Sequence, residues 1–396
     1  MSSVPPPRAR LGYDAIAVAA PVTVPYVRYS IRAAHWFVAR ALAGLLERSG
    51  LHKNDIDGVC ASSFTLAPDS AIGLMQHIGL SPRWLDWLPV GGASGVLALR
   101  RAARAVQAGD AEVVACIAAD TNHVDSFRLT LSNFSVFARD AVYPYGAGGP
   151  NASFAFLTDH YMRTYGATRE DFGRLCVAQR DNAQRNPLAL FRGKGLTLRE
   201  YLDARPIAEP LHLYDCVMPC AGAEAFLVMR RERAHALGLP YAALLGTIER
   251  HNGFPDDPVQ FRGGWAVDRD DLYAQAGVTP RDVSFFQPYD DYPVISMMQL
   301  EDLGFCAKGE GAAFVRSNTF TIEGTLPMNT SGGQLSAGQA GCAGGYIGLT
   351  EAIRQLTGQA GARQVPEARV GLVSGFGMIN FDRGLACGAA LLGRAP

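Results

Sequence analysis

The chain is predicted to be an α/β protein built on a repeated unit, from three observations. Amphipathic helical segments alternate with short, nearly uncharged β-branched runs, the pattern of strands covered on both faces by helices. Two phrases from the first third of the chain return, in the same order, in the last third. At 396 residues the chain is also too long for one typical core, so two units of ordinary size are expected.

Residues 13–24 read as a strand, and 33–49 as an amphipathic helix stopped by Gly50. Gly50-Leu-His-Lys-Asn-Asp55 then turns the chain into a second strand, and Gly277-Val-Thr-Pro-Arg-Asp282 does the same much later. After Gly91-Gly92-Ala93-Ser94-Gly95, Val96, Leu99, Ala103 and Val106 fall on one helix face, with Arg100, Arg101, Arg104 and Gln107 largely opposite. Gly109 stops this helix, and 113–119 reads as a strand buried on both faces. The echo runs from Gly345 to Gly358 and leads to a strand at 370–373. A small-residue turn feeding a helix is where α/β enzymes hold a reacting atom near backbone N–H groups.

Between the repeats, 122–147 is rich in aromatic and polar residues, and 161–211 reads as several helices carrying Arg, Asn and Gln. Both are expected to form an insertion covering one face of the first half and shaping specificity. Residues 215–228 return to sheet-like sequence.

A net charge of −1 offers no electrostatic case for a nucleic-acid partner. The Pro-rich residues 1–10 lack an apolar targeting core, and no apolar run is long enough to span a bilayer, so a cytoplasmic, non-membrane protein is expected. The eight cysteines include a single C-x3-C, Cys216 and Cys220, with no second pair, so no metal site is expected.

Several phrases occur in the order of a known family. Tyr161-Met-Arg-Thr-Tyr-Gly-Ala-Thr-Arg-Glu-Asp171, Asn186-Pro187, the stretch 201–211 and Asp215-Cys216 are similar to the insertion of sterol-carrier-protein and lipid-transfer-type thiolases. Leu300-Glu-Asp-Leu-Gly-Phe-Cys-Ala-Lys-Gly309 and Met328-Asn-Thr-Ser-Gly-Gly333 are similar to their C-terminal half. The chain thus resembles the thiolase superfamily over nearly its whole length. The resemblance implies a thiolase fold, two duplicated βαβαβαββ halves in a five-layer αβαβα sandwich. The halves would be 1–245, carrying the insertion at about 122–211, and 246–396.

The departures fall on the chemistry. Where the family carries its nucleophilic cysteine this chain has Gly92, and a His-Asp-Cys-Phe phrase is replaced by Tyr289-Asp290-Asp291-Tyr292. A Gly-His-Pro-x-Gly loop becomes Gly338-Gln339-Ala340-Gly341-Cys342, and the loop bearing a second cysteine reads Val373-Ser-Gly-Phe-Gly377. Glycine cannot be acylated, so in this register thiolysis through residue 92 is excluded. Gly92 keeps its N–H and is expected to give up volume to a bulky acyl-CoA. With Gln339, Gly377, Asn329 and Asp290 it makes up the expected substrate-binding and oxyanion positions.

An oxyanion site that stabilises a thioester enolate serves aldol as well as Claisen chemistry, and a retro-aldol cleavage needs no covalent intermediate. A cysteine-less thiolase fold resembles the steroid side-chain-degrading aldolases. That resemblance implies Tyr289 and Tyr346 as the catalytic pair and a coenzyme A thioester as substrate, with no bound cofactor. It also implies a homodimer working with a small zinc-ribbon OB-fold protein, often fused to a hydratase. Adjacent Asp290 and Asp291 point opposite ways on an extended chain, so at most one faces the site. Tyr346, on an otherwise apolar helix face, reads by itself as structural. Two other readings stay open: a silent acyl-CoA-binding subunit of a condensing enzyme, or a thiolase or acyltransferase with a displaced cysteine, Cys342 or Cys220.

Overall fold

The computed structural model describes residues 12–124, 142–147 and 149–395. The Pro-rich N-terminus and most of the aromatic-rich stretch, 125–141, lie outside the described residues. The strands are β1 (Ile16–Val27), β2 (Gly58–Ser62), β3 (Trp84–Trp87), β4 (Val113–Asp120), the small hairpin of β5 (Pro206–Ala208) and β6 (Leu211–His212), β7 (Ala221–Arg230), β8 (Tyr241–His251), β9 (Phe285–Gln287), β10 (Val370–Asn380) and β11 (Arg383–Arg394). All but the hairpin join in one mixed sheet of order β3-β2-β4-β7-β1-β8-β11-β10-β9.

That order is symmetric about the β1–β8 pair, where Ala17 opposes Ala243. The parallel β2–β4 pair is matched by parallel β9–β10, and antiparallel β4–β7 and β7–β1 by antiparallel β10–β11 and β11–β8. The duplication read in the sequence is therefore a repeat of topology. It extends to local detail: His52 N donates to Asp55 Oδ2 at 2.9 Å, and Thr279 N to Asp282 Oδ2 at 2.8 Å. Each aspartate satisfies an otherwise unpaired N–H at a turn entering a strand. The second half begins with β8 at Tyr241. The expected division at 245/246 falls inside this strand and is corrected to the turn before it.

The layers follow from which faces are apolar. Helix Ala34–Ser49 packs on β1, β4 and β7, and helix Trp265–Ala276 on β8 and β11. Between the half-sheets lie helices Ser94–Ala108 and Gly344–Leu356, touching each other and strands of both halves. The result is a five-layer αβαβα sandwich, the architecture that the resemblance implies. β4 serves two cores at once, with Val113, Ala115, Ile117 and Ala119 facing the outer helix and Val114, Cys116 and Ala118 facing the central pair. The arginines of helix Ser94–Ala108 are not a solvated face. Arg101 makes a bidentate pair with Glu249 of β8 (2.8 and 2.9 Å), and Arg100 donates to Thr247 O at 2.9 Å. They fasten the first half to the second.

The insertion packs differently from the expectation. Helix Arg169–Gln184 lies against helices Pro293–Asp302, Gly311–Ser317 and Gly333–Ala337, which belong to the second half. Asn182 Nδ2 donates to Phe320 O and Met328 O, and Arg316 clasps Asp171 with two bonds of 2.7 Å. Buried carbonyls of the second half need donors, and the polar residues of this helix supply them. No helix among the described residues is long and apolar enough to cross a membrane.

Candidate active site

The carboxyl ends of β4 and β10, the Gly91–Ala93 turn and the insertion enclose a cavity of about 480 Å³, mostly apolar. Tyr289, Asp291, Gln339, Gly92 and Gly377 all reach its wall.

Gly91 has φ +58°, and the chain makes one 3-10 turn before the helix that starts at Ser94. A Cβ placed on Gly92 would lie 1.9 Å from Tyr289 Cε2 and 2.4 Å from Phe376 O. The volume released by the missing side chain is therefore filled by the Tyr289 ring, which corrects the expectation that an acyl group lies there. Gly377 is held as tightly, since a Cβ there would meet Val90 O at 1.9 Å.

Tyr289 is fixed from behind. Its N–H donates to Gln299 Oε1 (3.2 Å), Gln299 Nε2 donates to its carbonyl (2.7 Å), and Ser374 Oγ donates to Gln299 Oε1 (2.5 Å). One buried amide thus satisfies both backbone groups of the residue beside the cavity. The hydroxyl points to Asp291 Oδ2 at 3.3 Å. Burial, and then the Asp291 charge, push the phenol well above its ordinary range, so it keeps its proton at neutral pH. Burial, and then the neighbouring Asp290, push Asp291 well above the usual carboxylate range, and its Oδ1 has no partner among the described residues.

The adjacent aspartates do point apart, but Asp291 is the one that faces the cavity. Asp290 turns inward and accepts from Gln334 N (2.9 Å) and Leu335 N (3.3 Å), capping helix Gly333–Ala337. Burial raises it to about 7, against those bonds. Its expected contact with substrate is thereby corrected to a structural role.

Tyr346 is also misplaced by the expectation. It is fully buried in the central core, beside Phe226, with its hydroxyl 3.2 Å from Ser62 Oγ, and it does not reach the cavity. The helix face that carries it looks at β2 and β7 rather than at Tyr289. Asn329 lies behind the wall as well, its N–H bonded to Phe286 O at 3.0 Å. Gln339 does face the cavity. Its amide is folded onto Gly341 (3.2 and 3.3 Å), and it donates toward the Tyr289 hydroxyl, favouring the phenolate.

Two cavity features, Asp120 and Arg180, were missed in the sequence, and a third, Tyr292, stands in the Tyr289–Tyr292 phrase as packing. Asp120 ends β4 and ties both halves together: Oδ1 accepts from Phe64 N (2.8 Å) and Thr65 N (2.7 Å), and Oδ2 from Cys342 N (2.7 Å). A lone aspartate closing an apolar strand was the available signal. Tyr292 hydrogen-bonds Asn151 Oδ1 and stacks on Phe154 at 4.1 Å, docking helix Gly149–Tyr165 over the site. Arg180 lines the cavity from the insertion. The thiols are poor nucleophiles. Burial raises Cys342 and Cys220 far above their usual range and Cys216 to about 12, and Cys342 does not reach the cavity.

The family model described as thiolase C-terminal domain-like matches residues 265–386. The steroid side-chain-cleaving aldolase of Thermomonospora curvata is 32% identical over 360 residues, covering 87% of this chain and 90% of that protein. The chain belongs to the thiolase superfamily. A second relative, the 17-hydroxy-3-oxo-4-pregnene-20-carboxyl-CoA lyase of Mycobacterium tuberculosis, is 32% identical over 81% of this chain and 86% of its own. Among solved structures the Ltp2-ChsH2(DUF35) aldolase superposes with a TM-score of 0.82 at 29% identity, covering 96% of this chain and 98% of that one. An SCP2-thiolase-like protein of Mycobacterium smegmatis, 15% identical with a TM-score of 0.71, covers 98% of this chain and 78% of its own, and shares the fold.

Proposed function

We propose that this thiolase-fold chain is an acyl-CoA lyase that cleaves a β-hydroxyacyl-CoA by a retro-aldol reaction, releasing a ketone or aldehyde and a shorter acyl-CoA. The observation that carries the reading is the Tyr289 ring standing where a nucleophile's Cβ would be, hydrogen-bonded to a cavity carboxylate. That arrangement removes the acyl-enzyme route and leaves a paired acid and base.

In this scheme ionised Asp291 takes the β-hydroxyl proton. The Cα–Cβ bond breaks, its electrons pass into the thioester enolate, and the carbinol carbon becomes a carbonyl. The Tyr289 phenol, protonated in the resting enzyme, supplies a proton to Cα and is then reprotonated by Asp291 across their hydrogen bond, which restores both groups. The Gly92 backbone N–H and the Gln339 amide, both at the cavity wall, are the groups placed to steady the enolate oxygen. Replacing Tyr346 by Asp291 as the second group removes the need for a phenol ionised near neutral pH.

Similarity to two relatives named for steroid side chains and a steroid carboxyl-CoA supports a bulky, fused-ring acyl group in a mostly apolar cavity. Similarity to the Ltp2-ChsH2(DUF35) aldolase supports a DUF35 partner, which the family resemblance implies is a small zinc-ribbon OB-fold protein, with a hydratase supplying the β-hydroxyacyl-CoA. Homodimerisation and a cytoplasmic location belong to the same proposal. The test is to incubate the chain, with and without such a partner, with a tertiary β-hydroxyacyl-CoA. A carbonyl product and a shortened acyl-CoA in equal amounts are expected, and Asp291→Asn should abolish both. No carbonyl product under any pairing contradicts the reading.

A further inference from the structure

Among the described residues, Arg180 is a charge without a counter-ion. Only 5% exposed, it sits in the cavity wall on helix Arg169–Gln184. Nε donates to Ser336 Oγ (2.9 Å) and Nη1 to Lys194 O (3.3 Å), both neutral acceptors. Nη2 makes no hydrogen bond among the described residues, and no carboxylate there pairs with the group. Its plane is braced by Phe191, 4.1 Å from the guanidinium carbon, and by Tyr214 at 5.8 Å. Burial lowers its pKa, the mark of a desolvated cation. Arg205 brings a second guanidinium to the same cavity from its exposed rim, close enough to Cys216 to favour the thiolate.

Holding a guanidinium out of water without an anion is costly, and the aromatic bracing fixes its plane at the cavity wall with Nη2 unbonded among the described residues. From this we infer that Arg180, supported by Arg205 at the rim, binds an oxyanion of the substrate, a carboxylate or a phosphate. The inference rests on the cavity being an acyl-CoA site. Two parts of such a substrate carry that chemistry, a carboxylate on the acyl group and the phosphates of the coenzyme.

Calorimetric binding, which needs no turnover, separates them. Four probes serve: succinyl-CoA, butyryl-CoA and the two corresponding pantetheine thioesters, each titrated into the wild type and Arg180→Gln, which keeps a donor for Ser336. If the acyl group supplies the anion, the wild type favours the succinyl over the butyryl ester, and R180Q loses that preference by about tenfold or more. If the coenzyme supplies it, R180Q weakens both CoA esters by a similar factor and leaves the pantetheine esters unchanged. Unchanged affinity for all four probes in a variant that melts like the wild type overturns the inference. Wild-type failure to bind any CoA ester overturns the acyl-CoA reading beneath it. Binding of these probes together with no carbonyl product from a β-hydroxyacyl-CoA would leave the inference standing and sink only the lyase chemistry.

Discussion

The Tyr289 ring lies over Gly92 so closely that a Cβ on residue 92 would stand 2.0 Å from Tyr289 Cζ. The glycine and the tyrosine are one exchange, in which the side chain that would be acylated is gone and an aromatic ring occupies its place. Gly92→Cys should therefore not restore a thiolase. Overpacking should cost about 1–3 kcal/mol, and intact-protein mass spectrometry with acetyl-CoA should show no acyl adduct. Adding Tyr289→Gly removes the clash with the ring but not that with Phe376 O, so stability should be recovered only in part. Wild-type melting behaviour in Gly92→Cys alone would contradict the packing.

The two tyrosines singled out by the sequence should separate cleanly. Tyr289→Phe removes a hydroxyl from the cavity and should lower kcat by roughly 10²–10⁴-fold. Tyr346→Phe removes one buried bond to Ser62 and should cost about 1 kcal/mol of stability with kcat within a factor of two to three, on the order of that lost bond's indirect effect. Steady-state kinetics and thermal melts on the pair decide it, and a collapse of kcat in Tyr346→Phe would return that residue to the mechanism.

What the sequence revealed follows from the range of the forces involved. Helix stops at Gly50 and Gly109, the aspartate turns at Asp55 and Asp282, and the doubly buried β4 are local patterns, and all were legible. The loss of the nucleophile at Gly92 was legible too, because it is a single substitution in a recognisable phrase. Which of Asp290 and Asp291 faces the cavity was not, because alternation on an extended chain leaves the starting side open until helix Gly333–Ala337 claims Asp290. Nor was the direction of Tyr346, set by packing between two half-sheets far apart in sequence.

Asp290 should make stability depend on pH. Its folded-state pKa, about 7, is raised above the unfolded value near 4. The folded chain then holds the proton more tightly, so this contribution is full below about pH 4 and is lost as pH rises to about 7, by up to about 4 kcal/mol. In Asp290→Asn that slope should vanish. Urea midpoints of the two proteins from pH 4 to 8 measure it, and a difference that does not change with pH contradicts the assignment.

Gln299 should matter for chemistry without touching substrate. Gln299→Leu leaves both backbone groups of Tyr289 without their present partner, at a cost of about 1–3 kcal/mol. It should lower kcat at least about tenfold with little change in KM, because the ring loses its position while the cavity wall remains. Equal changes in KM and kcat/KM with kcat untouched would show that the clamp does not place the reacting group.

Solvent-isotope labelling tests the central claim most directly. A β-hydroxyacyl-CoA is turned over in D2O and the acyl-CoA product examined by mass spectrometry alongside the intact protein. Non-covalent retro-aldol cleavage predicts one solvent-derived deuteron on the α-carbon of the product and no acylated protein at any time. An acyl-protein adduct, or cleavage that consumes free coenzyme A, would contradict it.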